Sequence, residues 1–293
     1  MELWLLYAIG AASFAALTTV LAKIGIKDVD SHLATAIRTI VVLAFAWVMV
    51  FIVGSQYGIA YIQGRTWFFL IISGFATGCS WLCFFRALKL GNVNKVVPID
   101  KSSTILTMTL AFIFLGEPFS WVTVVGMALM GLGTWLMLDL KKKNSDDSTN
   151  EKTSKSWLIY AVLAAVFASL VAIFGRIGVA DIDATLWTAI RTIVVVPLSL
   201  LMVFMVKSHK TIKSVSRKSW LFLVLSGGAT GASWLFFYHA LQLGNASHVV
   251  PIDKLSIVLT MGFARLFLGE RFSKKSIAGL ALLTAGTLLP IFV

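Results

Sequence analysis

The chain repeats itself. TAIRTIVV at 35–42 returns unchanged at 188–195, and VVPIDK at 96–101 returns at 249–254. SGFATGCSWL at 73–82 returns as SGGATGASWL at 226–235, and LGE at 115–117 returns at 268–270. Each pair is offset by 153 positions, with no insertion needed from the second apolar run to the last. A duplication this regular constrains the fold before any residue is weighed singly. Whatever architecture one half adopts, the other must adopt as well, and residues that matter come in pairs.

The halves are too apolar for water. Of 293 residues, 58% are hydrophobic and 13% charged, where a soluble domain carries about 25% charged residues. A bilayer is the solvent that such a chain fits. Apolar runs of spanning length fall at roughly 3–22, 33–53, 67–85, 96–115, 119–139, 157–175, 186–206, 219–241, 249–268 and 276–293. The expected fold is all-α, with ten transmembrane spans in two units of five: 1–140 and 157–293. The polar segment KKKNSDDSTNEKTSKS at 141–156 lacks apolar periodicity and reads as a linker. The first run has no basic stretch before it and has an internal partner, so it reads as a retained span rather than a signal peptide.

An odd number of spans per unit predicts that the second unit enters the membrane upside down. Loop charge supports this. With alternating sides, twenty of the 25 Lys and Arg residues collect on the side that receives the loops after spans 1, 3, 5, 7 and 9. Equivalent loops have exchanged their charge: RALKLGNVNK at 86–95 corresponds to HALQLGNASH at 239–248, and YGIAYIQGR at 57–65 to KTIKSVSRK at 210–218. Charge follows the side of the membrane rather than the homology, as the positive-inside rule requires of an inverted repeat. The cation-rich side is expected to be cytoplasmic in a cell membrane, with both termini outside. The net charge of +12 therefore belongs to short loops and does not point to nucleic acid.

The order of these motifs resembles the EamA domain of the drug/metabolite transporter superfamily. The resemblance rests on Lys23 late in the first span, TAIRT opening the second, a Gly/Ala-rich third, ALxLG at 87–91 and 240–244, and LGE closing the fourth. It covers both halves and implies a ten-helix inverted repeat around a central solute cavity, with spans 5 and 10 peripheral. Pro-Ile-Asp-Lys stands where many relatives carry an apolar or Ser-rich stretch. Relatives are also commonly described with cytoplasmic termini, opposite to the orientation that the loop charges favour.

A charge within a span costs roughly 2.5–3.5 kcal/mol on insertion scales, so it needs a partner or a cavity. Asp100-Lys101 and Asp253-Lys254 follow Pro98 and Pro251, where a helix kinks or ends. They read either as a polar substrate or proton site, or as ion pairs at the membrane edge with Lys snorkelling outward. Arg38 and Arg191 open the second and seventh spans. Each could bind a carboxylate substrate or tie the loop aspartates Asp28, Asp30, Asp181 and Asp183. Trp81 and Trp234 fall in mid-span, away from the interfacial belt. They are stacking platforms for a ligand or large core residues, with Thr77, Ser80, Thr230 and Ser233 as neighbouring hydroxyls.

Other residues read as structural. Lys23 and Arg176 end their spans by snorkelling. Glu117 and Glu270 are expected to cap the helix that follows each. His239 has no symmetric histidine for a relay. Gly126, Gly131, Gly133, Gly279 and Gly286 favour close helix approach, with a homodimer face left open. Cys79 and Cys83 have no further ligand for a metal site. No phosphate loop, nucleophile–base pair or cofactor motif is present, so the chain does not read as an enzyme and implies no cofactor.

The reading is a secondary transporter of a small polar or amphiphilic metabolite, working by alternating access and open to proton coupling through Asp100 or Asp253. A flippase for a lipid or lipid-linked sugar remains an alternative, and so does a membrane protein that binds partners and transports nothing.

Overall fold

The computed structural model describes residues 2–25, 29–90, 96, 99–100, 102–118, 120–137, 156–268 and 274–291. Residues 141–155 of the linker, Asp28, Pro98, Lys101 and Glu270 lie outside this set. Among the described residues eleven α-helices follow one another and no strand occurs. They are α1 (Leu3–Gly25), α2 (Ser31–Val53), α3 (Gly64–Leu90), α4 (Ser103–Leu115), α5 (Trp121–Met137), α6 (Ser156–Gly178), α7 (Ala184–Val206), α8 (Arg217–Leu243), α9 (Ala246–Lys254), α10 (Ser256–Leu268) and α11 (Lys274–Leu288). Six of them, α1–α3 and α6–α8, are long and apolar enough to cross a membrane. Shorter helices occupy the four remaining expected spans. The ninth is split: Pro251 lies inside α9, which ends at Lys254 before α10 restarts at Ser256.

The helices invert the soluble pattern. On α1 the buried side is Ala8, Ala11, Ala12 and Ala16, while Leu3, Leu6 and Ile9 face outward. On α6 the buried residues include Ala161, Ala164 and Ala165, the repeat equivalents of the first three. Packing between helices in lipid has little hydrophobic drive, so small residues that permit close approach take the interior and large apolar residues meet the acyl chains. Accordingly α1 lies along α8, and α3 along α6. Ser233 donates to the carbonyl of Ala11 at 2.9 Å, and its equivalent Ser80 donates to that of Ala164 at 3.0 Å. Each half thus packs across the repeat boundary onto its counterpart.

The helix ends are fixed locally. Asp30 caps α2 by accepting from the amides of His32 and Leu33, and Asp183 caps α7 from Thr185 and Leu186. Gly54 ends α2 in the left-handed region. The glycines of α5 and α11 pack within the molecule. A Cβ on Gly126 would stand 2.7 Å from the carbonyl oxygen of Gly286, and one on Gly133 would stand 2.6 Å from that of Gly279. Their close approach is spent between α5 and α11, and Gly131 faces Ile105.

Candidate functional site: a two-chambered cavity between the repeats

The cavity at the centre is built from both halves. One chamber, about 420 Å³, is lined by Arg38, Thr230, Asp100 and residues of α2 to α4. The second, about 360 Å³, is lined by Arg191, Thr77, Ser233, Asp253 and Tyr238. Ser80, Trp81, Ser103, Ala168, Trp234 and Lys254 border both, so the chambers adjoin. Every candidate site residue inferred from the sequence lines one or both of them, except Lys101, which lies outside the described residues. Volumes of this size suit a small solute.

The arginines are held by an exchange between the halves. Arg38, on α2, donates through Nη2 to Oγ1 of Thr230 on α8 at 2.9 Å. Arg191, on α7, donates to Oγ1 of Thr77 on α3. Each threonine in turn bonds back to its own helix, Thr77 to the carbonyl of Ser73 and Thr230 to that of Ser226. The threonine oxygens are thereby oriented to accept from the opposite half. Arg191 also lies over two rings, with its Cζ 5.3 Å from the centre of Trp234 and 5.4 Å from that of Tyr238. It is 2% exposed.

The expected tie between these arginines and the loop aspartates is not made by the described ones. Asp30 and Asp183 spend their side chains on their own helix caps. Among the described residues no carboxylate pairs with either arginine. Lys254 does pair, with Asp253 at 3.6 Å, and both side chains face the cavity rather than snorkelling clear of it. Lys254 also borders a third cavity of about 280 Å³ between α4, α5, α10 and α11, lined by Ile105, Met130, Trp135, Ile257 and Leu283.

Other expectations resolve differently. Glu117 does not cap the helix after it: its two carboxylate oxygens accept from the amides of Ala246 and Ser247, at 2.7 and 2.8 Å, at the start of α9 in the other half. The reason is that Asn245, at the N-cap, makes no side-chain cap bond, leaving those donors open. His239 lies off the cavity, stacked on Tyr7 with ring centres 5.1 Å apart. Arg176 does not border either central chamber. Tyr238 was not anticipated. The available signal was a break in the repeat, since its equivalent is Phe85. No cluster of His, Cys, Asp and Glu fit for a metal occurs among the described residues.

The model of the EamA-like transporter family matches residues 2–139 and again 155–292. The chain belongs to the EamA-like transporter family. It is a multi-pass membrane transporter built of two family domains. It is similar to an uncharacterized transporter in the cobO 3' region of Sinorhizobium sp, with 44% identity over 136 residues, 46% of this chain and 96% of that one. It is also similar to a putative ribose uptake protein, RbsU, of Lactiplantibacillus plantarum, 27% identical over 48% of this chain and 47% of that one. A solved crystal structure superposes with a TM-score of 0.75 at 18% identity, covering 97% of this chain and 95% of the other, and so shares the fold.

Proposed function

We propose that this family member is a secondary transporter that moves a small polar or amphiphilic metabolite by alternating access. In this reading each half contributes five spans, the second half is inverted, and the halves rock about the central cavity. The observation that carries the proposal is the reciprocal build of the cavity: Arg38 reaches Thr230, Arg191 reaches Thr77, and Trp81 and Trp234 border both chambers. Rocking one half against the other would remake these contacts around a solute held between them. The loop charges favour a cytoplasmic linker and external termini in the cell membrane, which protease accessibility of terminal tags on sealed cells would test.

The direct test is solute counterflow in proteoliposomes. A preloaded solute that drives uptake of its labelled form, only with protein present, supports the reading. Ribose belongs in the panel because a relative bears that name. No protein-dependent flux across amino acids, sugars, amines and carboxylic acids would sink it. Proton coupling predicts that flux follows an imposed pH gradient and that Asp100→Asn or Asp253→Asn uncouples it.

The third cavity favours a second reading. Thr104 and Lys254 border both it and the central chamber, and its remaining wall is largely apolar. An amphiphile could rest its polar end beside Lys254 and its apolar part between α4, α5, α10 and α11. Protein-dependent flipping of a labelled anionic lipid, with no counterflow of soluble solutes, would select this reading over the first.

A further inference from the structure

We propose that the solute of this cavity is an oxyanion carried on a flat ring system, a ring-bearing carboxylate or phosphate, gripped by Arg38 and Arg191 and sandwiched by Trp81 and Trp234. The inference rests on the transport reading of the same cavity and adds the chemistry of the cargo.

The argument begins with charge. A guanidinium stays protonated in any protein environment, so Arg38 and Arg191 bring two permanent cations to the cavity walls. Both are only partly satisfied. Each places one nitrogen on a threonine hydroxyl, and the Nε of each is buried with no hydrogen-bond partner. Among the described residues neither forms an ion pair of its own, although Asp100 lines the same chamber as Arg38. The described carboxylates that reach the cavity are Asp100 and Asp253, against three described cations, Arg38, Arg191 and Lys254. Asp253 is already paired with Lys254. Buried cations without a counterion are costly where water is scarce, and an anionic solute supplies what the walls lack.

Geometry narrows the class. The planar guanidinium fork matches the oxygens of a carboxylate or phosphate. Arg191 is buried and lies over the rings of Trp234 and Tyr238, which hold it at the cavity wall. Trp81 and Trp234 border both chambers, so a body reaching from Arg38 toward Arg191 passes these indoles. Flat rings use such walls best. A cation would meet the two arginines unfavourably, and a neutral sugar would leave their charge uncompensated.

The test uses the full-length protein in mild detergent and four probes of one shape: 2-naphthoate, 2-naphthyl phosphate, 2-naphthamide and 2-naphthylmethylamine. Binding is read by thermal shift and calorimetry. The expected result is that naphthoate or naphthyl phosphate binds at least tenfold more tightly than the amide, with no measurable binding of the amine. The preferred acid identifies which oxyanion is carried. Arg38→Gln and Arg191→Gln should each remove most of the acid's advantage over the amide. The acid-against-amide comparison is made on the unaltered protein, so it decides even if Arg191→Gln fails to fold. Equal binding of acid and amide, preference for the amine, ribose binding as tightly as either acid, or no binding of any probe overturns the inference. Counterflow separates it from the transport reading. Flux of a neutral or cationic solute keeps the transporter and removes the anion. Arginine-dependent anion binding without any flux keeps the site and removes the transporter.

Discussion

The Arg191 guanidinium lies over the Trp234 ring, 5.3 Å from its centre, and both residues belong to the second half. The equivalent Arg38 and Trp81 share a chamber, yet among the described residues Arg38 stacks on no ring. The two halves therefore hold equivalent arginines differently. Arg191→Lys should destabilise the protein by about 1–2 kcal/mol, because a lysine cannot lie flat between Trp234 and Tyr238. Arg38→Lys should cost distinctly less. Unfolding in mixed detergent, followed by tryptophan fluorescence, compares them. Equal losses would show that stacking contributes nothing at Arg191.

The α5–α11 contact predicts opposite signs for two glycine substitutions. A Cβ at Gly133 would stand 2.5 Å from the amide nitrogen of Leu283, against backbone that cannot retreat alone. Gly133→Ala should push the helices apart and destabilise by about 1–3 kcal/mol, the ordinary range for overpacking. Gly228 has nothing within 4 Å of an added Cβ and sits inside α8. Gly228→Ala should stabilise, by up to about 1 kcal/mol, through helix propensity. Melting temperatures of the two variants and the parent decide this, and a stabilised Gly133→Ala would contradict the close contact.

How much of this was legible beforehand depends on the kind of relation. Repeat spacing exposed the paired Arg, Trp, Thr and Asp positions because equivalent sites keep their residue types. It did not reveal that Arg38 and Arg191 reach across to Thr230 and Thr77. A repeat shows which residues are equivalent, not which are neighbours, and the packing of α2 on α8 and of α3 on α7 decides the latter. The α9 break near Pro251 was visible as a proline. The acceptor for the amides at the start of α9 was not, since Glu117 lies 129 residues before Ala246. Tyr238 escaped for the opposite reason: it breaks the symmetry that made the others conspicuous.

Lys207 ends α7 at φ 61°, where the equivalent position at the end of α2 is Gly54 at φ 78°. A side chain in the left-handed region costs roughly 1–2 kcal/mol. The positive-inside pattern supplies a reason for a lysine to be kept there at that expense. Lys207→Gly should therefore stabilise the protein by about 1 kcal/mol, read as a rise in melting temperature. A fall would indicate that the lysine makes a compensating contact with lipid head groups or solvent.

Asp30 gives the structure a defined acid sensitivity. Burial alone would raise its pKa, but hydrogen bonds from the Ser208 side chain and the amides of Leu33 and His32 outweigh it and hold the carboxyl below its usual range. A lowered folded-state pKa means the stabilisation is complete above the unfolded value, near 3.9. It is lost as pH falls through the lower folded value. Asn also caps helices but does not titrate. The difference in melting temperature between the parent and Asp30→Asn should be constant from neutral pH down to about 5, then shrink in the parent's disfavour as the medium is made more acidic. A difference independent of pH would remove Asp30 from the account.

Glu117 tests whether the halves are joined through the broken helix. Its carboxylate accepts the amides of Ala246 and Ser247, residues that are 0% and 2% exposed. Water therefore cannot readily replace it. Glu117→Ala strands two buried donors and should cost about 1–3 kcal/mol. Glu117→Gln keeps one acceptor oxygen and should lose about half as much. The loss should be local before it is global: amide hydrogen exchange at 246–250 should accelerate in Glu117→Ala while exchange in α2 and α7 stays unchanged. If exchange at the start of α9 is unaffected, the carboxylate is not what holds that helix, and the contact between the halves depends on helix packing rather than on Glu117.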